Sequence, residues 1–358
     1  MSIEYNKTNN TRRRHKYLLV LFLMLILVNI LDNYNTNFLN TFPSAIRAEF
    51  LSDKPQEIGQ SIYQLCVGLA SFGMYFVFIN QTLADKFGRK ALLILVTFGM
   101  SISCLLLFFS ADITTFTIYL FLVYIFFSSD MWLIYVNEES PPEKRAYYTN
   151  LVVASGVIGA MLIPVCRSFF FTEDSTYWRG MTFFPIIAGI IVGILVIIFV
   201  KESSKYEEIK KKGKELKTTP GKRRIMDIFK SPNKKEFQIV LLMSVFNGLN
   251  YGFITLGEDY IKTYSDISVG LINILIYIIA LSVVAGYLTT GIFSDKIGRK
   301  PMLYFHSILQ PSALIMTIIG VNLDNFVIVA LGFALSYAAF WSLMMVLRII
   351  AAEILPTD

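Results

Sequence analysis

Ten long apolar segments constrain this chain more than any other feature of its sequence. A helix needs about 20 mostly apolar residues to cross a bilayer, because lipid cannot hydrogen-bond exposed backbone groups. Segments of about that length occur at 17–38, 59–80, 91–110, 114–137, 148–169, 181–200, 237–257, 268–291, 301–321 and 325–350. We therefore predict an all-α polytopic membrane protein with about ten spanning helices.

The composition supports this interpretation and argues against an enzyme. The chain is 55% hydrophobic and 16% charged, whereas soluble domains carry about 25% charged residues. None of the patterns HExxH, GxSxG, GxGxxG or GxxxxGK[ST] occurs, so hydrolase, dinucleotide and ATPase functions have no support. Cys66, Cys104 and Cys166 form no CxxC pair and are interpreted as apolar filler. We expect no enzyme, metal, cofactor or nucleic-acid partner.

Lysine and arginine residues predict the orientation in the membrane. Of the 32 such residues, 26 lie before the first segment or in the loops that would share its side. The opposite loops hold five, which are Arg47, Lys54, Arg167, Arg179 and Lys262. Because cytoplasmic loops carry the excess of positive charge, we predict a plasma-membrane protein with a cytoplasmic N-terminus.

A long basic loop at 201–236 divides the chain. We predict a six-helix bundle over 1–200, a cytoplasmic linker over 201–236 and an incomplete four-helix bundle over 237–358. The linker is interpreted either as a solvated connection or as a surface that contacts anionic lipid headgroups, and the two can coexist.

A short charged pattern repeats between the two parts. Residues 85–90 read D-K-F-G-R-K and residues 295–300 read D-K-I-G-R-K, 210 residues later. Glu139 and Pro142 recur as Glu353 and Pro356 at nearly the same offset. Two signatures in register with the helix order indicate an internal duplication, which is typical of transporters built from parallel halves.

These motifs resemble those of the major facilitator superfamily. The loop pattern is similar to the family's G-x-L-A-D-R-x-G-R-K, and the segment after the fourth helix is similar to E-x-x-P-x-x-x-R. The residues that carry the match are Asp85, Gly88, Arg89, Asp295, Gly298, Arg299, Glu139 and Arg145. The resemblance implies two pseudo-symmetric helix bundles that alternate access to the two sides of the membrane, with these loops as gates. A tight turn with positive-inside charges explains the glycine and the bases, but not the repeated aspartate.

The family has twelve helices, whereas the sequence ends after the tenth segment with A-A-E-I-L-P-T-D. In the family the eleventh helix is the expected partner of the first loop. Asp85 would then lack that partner, while Asp295 could meet the start of the fifth segment near Tyr147. A truncated, transport-incompetent member, acting as a scaffold or representing an interrupted gene, is the alternative to a transporter.

Two acidic residues are candidates for proton coupling, because an ionisable group at membrane depth is costly. Asp32 lies in a sequence, D-N-Y-N, that is similar to the D-G-Y-D of proton-coupled symporters of the superfamily. Its alternative is a solvated carboxylate near the outer mouth. Asp130 lies in S-D-M-W, which loosely resembles another symporter motif.

Substrate contacts are expected in the seventh and tenth segments. Asn250 and Tyr251 lie where sugar porters carry Q-Q-x-x-G-I-N, although Ser244 and Val245 replace the glutamines. Arg348 is interpreted either as an anion-binding group or as a side chain that reaches the cytoplasmic surface. Glu258 and Asp259 are expected to be solvated at the outer end of the seventh segment.

Taken together, the sequence predicts a monomeric secondary active transporter in the lipid bilayer. It would move a small polar metabolite of the sugar or organic-acid class by alternating access, with a proton as the coupling ion and binding near the bilayer midplane.

Overall fold

A computed structural model describes residues 2–127, 131–141, 145–216 and 234–354. These residues are almost entirely helical. The helices are α1 Ser2–Asn37, α2 Pro43–Phe50, α3 Gln56–Ser71, α4 Val77–Phe87, α5 Arg89–Phe108, α6 Ile113–Phe127, α7 Met131–Glu139, α8 Arg145–Phe170, α9 Phe183–Phe199, α10 Ser204–Leu216, α11 Lys234–Leu249, α12 Tyr251–Tyr264, α13 Val269–Ile297, α14 Arg299–Asn322 and α15 Phe326–Ile354. Short 3-10 helices lie at Phe38–Thr41, Phe72–Phe76 and Trp178–Thr182.

Nine stretches of the described residues are long and apolar enough to cross a membrane, and each matches a predicted segment. They are Lys16–Thr41, Arg89–Phe108, Ile113–Glu139, Leu151–Phe170, Trp178–Phe199, Lys234–Tyr264, Val269–Ser294, Arg299–Asn322 and Phe326–Ile350. The fold class predicted from the sequence is therefore confirmed.

The predicted segment 59–80 is built differently, because it is divided between α3, a 3-10 helix and α4. Gly73 lies in the 3-10 helix, where a Cβ atom would stand 2.5 Å from the carbonyl oxygen of Phe121. The missing side chain lets this segment pack directly against the backbone of α6. The Asn80 amide also donates to the carbonyl of Ile125 at 2.8 Å, so a close backbone approach and one hydrogen bond hold this irregular segment to its neighbour.

Contacts divide the chain into two compact units. The first comprises Met1–Phe38, Ile46–Cys166 and Tyr177–Thr218, and the second comprises Leu39–Ala45, Arg167–Thr176 and Thr219–Asp358. The second unit thus includes the stretch Leu39–Ala45, which follows α1, and the stretch Arg167–Thr176, which contains the end of α8.

Small residues let the helices of the first unit approach closely, as in other membrane bundles. A Cβ at Gly159 of α8 would stand 2.2 Å from the carbonyl oxygen of Ile30 in α1. A Cβ at Gly189 of α9 would stand 1.8 Å from the Ser101 hydroxyl oxygen in α5. These two glycines therefore set the spacing of two helix pairs.

The second unit packs α13, α14 and α15 together with α11. Here a Cβ at Gly320 of α14 would stand 2.6 Å from the amide nitrogen of Val329 in α15. A buried apolar cluster joins α11 and α14 to α15, and its members are Val240, Met302, Leu303, Leu343, Val346 and Leu347.

Large apolar side chains that remain exposed indicate the surface that faces lipid. An example is Ile198 of α9 in the first unit, which is 64% exposed.

Candidate functional sites

The first repeated loop is a turn that only glycine fits well. Gly88 separates α4 from α5 with φ 106° and ψ 154°, a region that side chains strongly disfavour. The amides of Arg89 and Lys90 follow at the N-terminus of α5, and both donate to Glu202 Oε1, at 2.8 and 3.1 Å. A carboxylate at this position satisfies helix-terminal N–H groups and faces the positive end of the helix dipole.

The buried Arg89 side chain is the centre of an ionic network, in which Glu138 is buried and Asp85 is exposed. It is 7% exposed and bonds Asp85 at 2.9 Å, Glu138 at 3.2 Å and the carbonyl of Ala84 at 3.1 Å. Its guanidinium also lies over the ring of Tyr206, 5.1 Å from the centroid. Arg89 therefore joins the end of α4 to α7 and to the segment that begins α10. Within the described residues, Asp85 pairs with its own loop.

The acidic partner of Arg89 is Glu138, whereas the sequence analysis named its neighbour Glu139. Glu138 makes the ion pair and also accepts from the Ser203 hydroxyl, whereas Glu139 accepts from the amide of Ser204 at 2.5 Å. Sequence analysis assigned the motif to Glu139 and missed Glu138, although the spacing E-x-x-P-x-x-x-R fits Glu138, Pro141 and Arg145.

The second repeated loop has the same local geometry. Gly298 separates α13 from α14 with φ 94° and ψ 164°, and Arg299 donates to the carbonyl of Ser294 at 2.9 Å. Its donor and acceptor are five positions apart, as in the bond from Arg89 to the carbonyl of Ala84. The side chain of Asp295 lies outside the described residues. The duplication thus preserves a turn geometry as well as a sequence.

Asp32 lies in a buried polar stretch of α1. Its side chain is 9% exposed, so the structure does not place it in the solvated position considered as the alternative. Neighbouring amides are fully used: Asn29 donates to the carbonyl of Val152 at 2.6 Å, and Asn35 accepts from the thiol of Cys104 at 3.1 Å. These bonds join α1 to α8 and α5 on either side of Asp32.

Two predicted residues lie wholly or partly outside the described structure. Asp130 falls in the gap between α6 and α7. Arg145 begins α8, but its side chain is not described.

The seventh span is broken at the predicted substrate residues. α11 ends at Leu249 and α12 begins at Tyr251, with Asn250 in the turn between them. The Asn250 amide donates to the carbonyl of Phe246 at 3.3 Å, and the Tyr251 hydroxyl accepts from Asn40 at 3.3 Å. Discontinuous helices of this kind form substrate sites in transporters. Arg348 is exposed on α15.

The expectation that Glu258 and Asp259 are solvated is wrong. Their side chains are 6% and 0% exposed. Arg167, assigned to an outer loop from the sequence, is 1% exposed and pairs with Glu258 at 3.5 Å. Charged residues near the end of an apolar segment look alike whether they face water or each other, so the sequence offered no signal of this pair.

A second acidic group organises the entry to α9. Glu49 accepts from the indole N–H of Trp178 at 2.5 Å and from Arg179 at 2.6 Å. Trp178 is 2% exposed. Glu49 therefore fixes the 3-10 helix Trp178–Thr182, which leads into α9.

Comparisons with known proteins agree with this architecture. The sequence matches the family model of the Major Facilitator Superfamily over residues 18–358. The structure is similar to that of a D-xylose-proton symporter, with a TM-score of 0.77 and 17% identity, covering 96% of this chain and 84% of that one. It is also similar to the xylose transporter XylE from E. coli in a partially occluded inward open conformation, with a TM-score of 0.76 and 15% identity, covering 94% and 84%.

A search of curated proteins gives no match. The structural similarity is at low identity and therefore shows the fold. The family model, in contrast, spans nearly the whole chain and gives the alternative of a transport-incompetent fragment no advantage over a transporter. From the helices, the duplicated loops and this match, the chain belongs to the Major Facilitator Superfamily.

Proposed function

We propose that this protein is a proton-coupled secondary transporter of a small polar metabolite, of the sugar or organic-acid class, that works by alternating access. The observation that carries the proposal is Asp32, a carboxylate 9% exposed within the first spanning helix. An ionisable side chain at this depth is costly to keep unless it has a function. Family membership supplies the transport mechanism in which such a group acts.

Asp32 is suited to carry the coupling proton. Its helix is fixed by bonds from Asn29 and to Asn35, so the carboxylate is held in place while the rest of the transporter changes conformation around it. Exposure to one side of the membrane lets it take a proton, and exposure to the other lets it release that proton. Asp130 is a second candidate for this role, from its sequence motif.

The break in the seventh span supports a hydroxyl-bearing substrate. Asn250 and Tyr251 lie at the break, and Asn40 bonds the Tyr251 hydroxyl. Amide and hydroxyl groups both donate and accept hydrogen bonds, which matches the hydroxyl groups of a sugar. The D-xylose-proton symporter and XylE have the same fold and favour the sugar class. Arg348 is the residue that would favour an organic anion instead.

The two repeated loops are proposed as gates. In the first, a single arginine, Arg89, holds the start of α5 to α7 through Glu138, while Glu202 caps the same helix. Weakening such a network would shift the balance between conformations and leave the fold in place. The charge distribution supports a cytoplasmic N-terminus. We propose that the protein acts in the plasma membrane as a monomer.

The test is uptake of radiolabelled D-xylose and of a panel of organic acids into proteoliposomes, driven by an imposed pH gradient. Asp32→Asn should abolish gradient-driven uptake while leaving exchange of substrate across the membrane. Asp53→Asn is the matched control, because Asp53 is an exposed carboxylate paired with Lys54 at 2.8 Å. Uptake by Asp32→Asn with unchanged pH dependence would contradict its coupling role, and no uptake of any substrate by the wild type would contradict the function.

A further inference from the structure

A buried ion pair joins separate parts of the second unit. Arg167 at the end of α8 and Glu258 in α12 are 1% and 6% exposed, and their side chains meet at 3.5 Å. The two residues are 91 positions apart in sequence. A buried pair is costly to form and is kept only where further hydrogen bonds complete it.

Those further bonds come from other segments. Glu258 accepts from the amide of Ser44 at 3.0 Å and from its hydroxyl at 2.7 Å. Arg167 donates to Asn273 Oδ1 at 2.9 Å and to the carbonyl of Thr41. Its guanidinium also lies over the ring of Phe171, 4.0 Å from the centroid. The pair thus fastens the stretch after α1 and the end of α8 to α12 and α13.

The predicted topology places all four of these segments on the same side of the membrane. With a cytoplasmic N-terminus, the first, fifth and seventh spans end on the outer side and the eighth begins there. Ser44, Arg167, Glu258 and Asn273 lie at those four ends.

We propose that Glu258 is a proton-binding site and that its ion pair with Arg167 is an outer latch. This inference rests on the proposed proton-coupled transport. While Glu258 is ionised, it holds Ser44 and Arg167, so the stretch after α1 and the end of α8 stay fastened to α12. When Glu258 takes a proton from the outer solution, Arg167 becomes a buried cation without a compensating charge. That cation is stabilised only by reaching water, so protonation releases the latch.

Other titratable groups lie close to the pair. Asp259 is adjacent on the same helix and is 0% exposed. Glu173, on the stretch that carries Arg167, accepts from the amide of Gly270 at 3.2 Å. Tyr277 of α13 pairs with Ser168 at 3.2 Å, and Tyr337 of α15 donates to the carbonyl of Ile254 at 2.8 Å. Among the described side chains, Arg167 is the cation that bonds Glu258.

The experiment is hydrogen–deuterium exchange of the full chain in lipid nanodiscs, without any substrate. Glu258→Gln imitates the protonated carboxyl. We expect it to speed exchange by about tenfold or more in peptides covering 39–50 and 251–264, as expected when a charge-assisted hydrogen bond is lost. Peptides covering 85–95 should exchange as in the wild type. Glu173→Gln is the matched control, since it removes an exposed carboxylate from the same side of the same unit.

Proton binding by Glu258 is tested by lowering the pH. At each pH, the exchange rate of Glu258→Gln is divided by that of the wild type, because this ratio cancels the intrinsic pH dependence of amide exchange. The ratio should fall towards one as Glu258 of the wild type becomes protonated. A ratio that stays constant overturns the proton site, and equal exchange at neutral pH overturns the latch. Should Glu258→Gln fail to fold, Ser44→Ala carries the same comparison.

A second arm separates a latch from a merely structural contact. The double variant Arg167→Gln/Glu258→Gln should restore wild-type protection in part, because neither charge is then left buried alone. Additive loss of protection would contradict their coupling. These measurements use no substrate, so they test the latch separately from transport. A pH-dependent latch in a protein that transports nothing would support this inference and contradict the proposed function. Transport by a protein without a pH-dependent latch would support the proposed function and contradict this inference.

Discussion

Replacing Gly88 by alanine tests the inner network, with Gly298 as a built-in control. Both glycines have a backbone conformation that side chains disfavour, with φ 106° and 94°, and such strain costs about 1–3 kcal/mol. The surroundings differ. An alanine Cβ at 88 would stand 2.2 Å from Glu202 Oε2, whereas at 298 its nearest neighbour is Pro301 Cδ at 3.8 Å. Gly298→Ala should therefore cost the backbone strain alone.

Gly88→Ala carries an additional cost, because Glu202 must move away from the amides of Arg89 and Lys90. Each of those bonds, at 2.8 and 3.1 Å, has a charged acceptor, and losing one costs about 1.5–3 kcal/mol. A change of 1 kcal/mol shifts the melting temperature by about 2–4 °C for folded units of 150–250 residues. One lost bond thus predicts that Gly88→Ala melts about 3–12 °C below Gly298→Ala.

The assay is thermal unfolding of the purified protein in detergent, followed by the loss of its helical circular dichroism signal. Adding Glu202→Gln to Gly88→Ala should lower the melting temperature by less than Glu202→Gln lowers it in the wild type, since the two changes remove the same bonds. Equal melting temperatures for the two glycine variants would refute the reasoning.

Two further predictions follow from contacts that the sequence does not reveal. Glu138→Gln should destabilise the protein by about 1.5–3 kcal/mol, and more than Glu139→Gln, because Glu138 holds the buried guanidinium of Arg89; paired thermal unfolding compares them, and the reverse order would contradict the pairing. Gly189→Ala should cost about 1–3 kcal/mol by overpacking, since its Cβ would stand 1.8 Å from Ser101 Oγ. Adding Ser101→Ala should recover part of that loss, and an unchanged loss would show that the close approach is not its cause.

The two loop turns show how far local sequence reaches. The D-K-x-G-R-K pattern identified Gly88 and Gly298 as turn positions, and both have the positive φ that such a turn requires. A bond from Arg89 to Ala84, and from Arg299 to Ser294, spans five residues, so it lies within the reach of one loop. Asp32 was also accessible to sequence analysis, because a carboxylate within an apolar segment is unusual whatever surrounds it.

The partners of these residues were not accessible in the same way. Glu202 lies 113 residues from Arg89, and no local pattern connects the two. At the end of a spanning segment, where apolar residues give way to polar ones, a charged side chain has the same local pattern whether it meets water or a partner from another helix. Arg167 and Glu258 were assigned to water for that reason, and only the packed structure shows them buried together.

The sequence by itself determined nine of the apolar segments, the duplication and the fold class. Each depends on an interaction that is the same for any neighbour: the burial of apolar surface in lipid, or the steric freedom of one glycine. The tertiary structure decided which charges pair and which remain exposed. Those energies depend on distance and on exclusion of water between residues far apart in the chain, and both quantities exist only once the helices are packed.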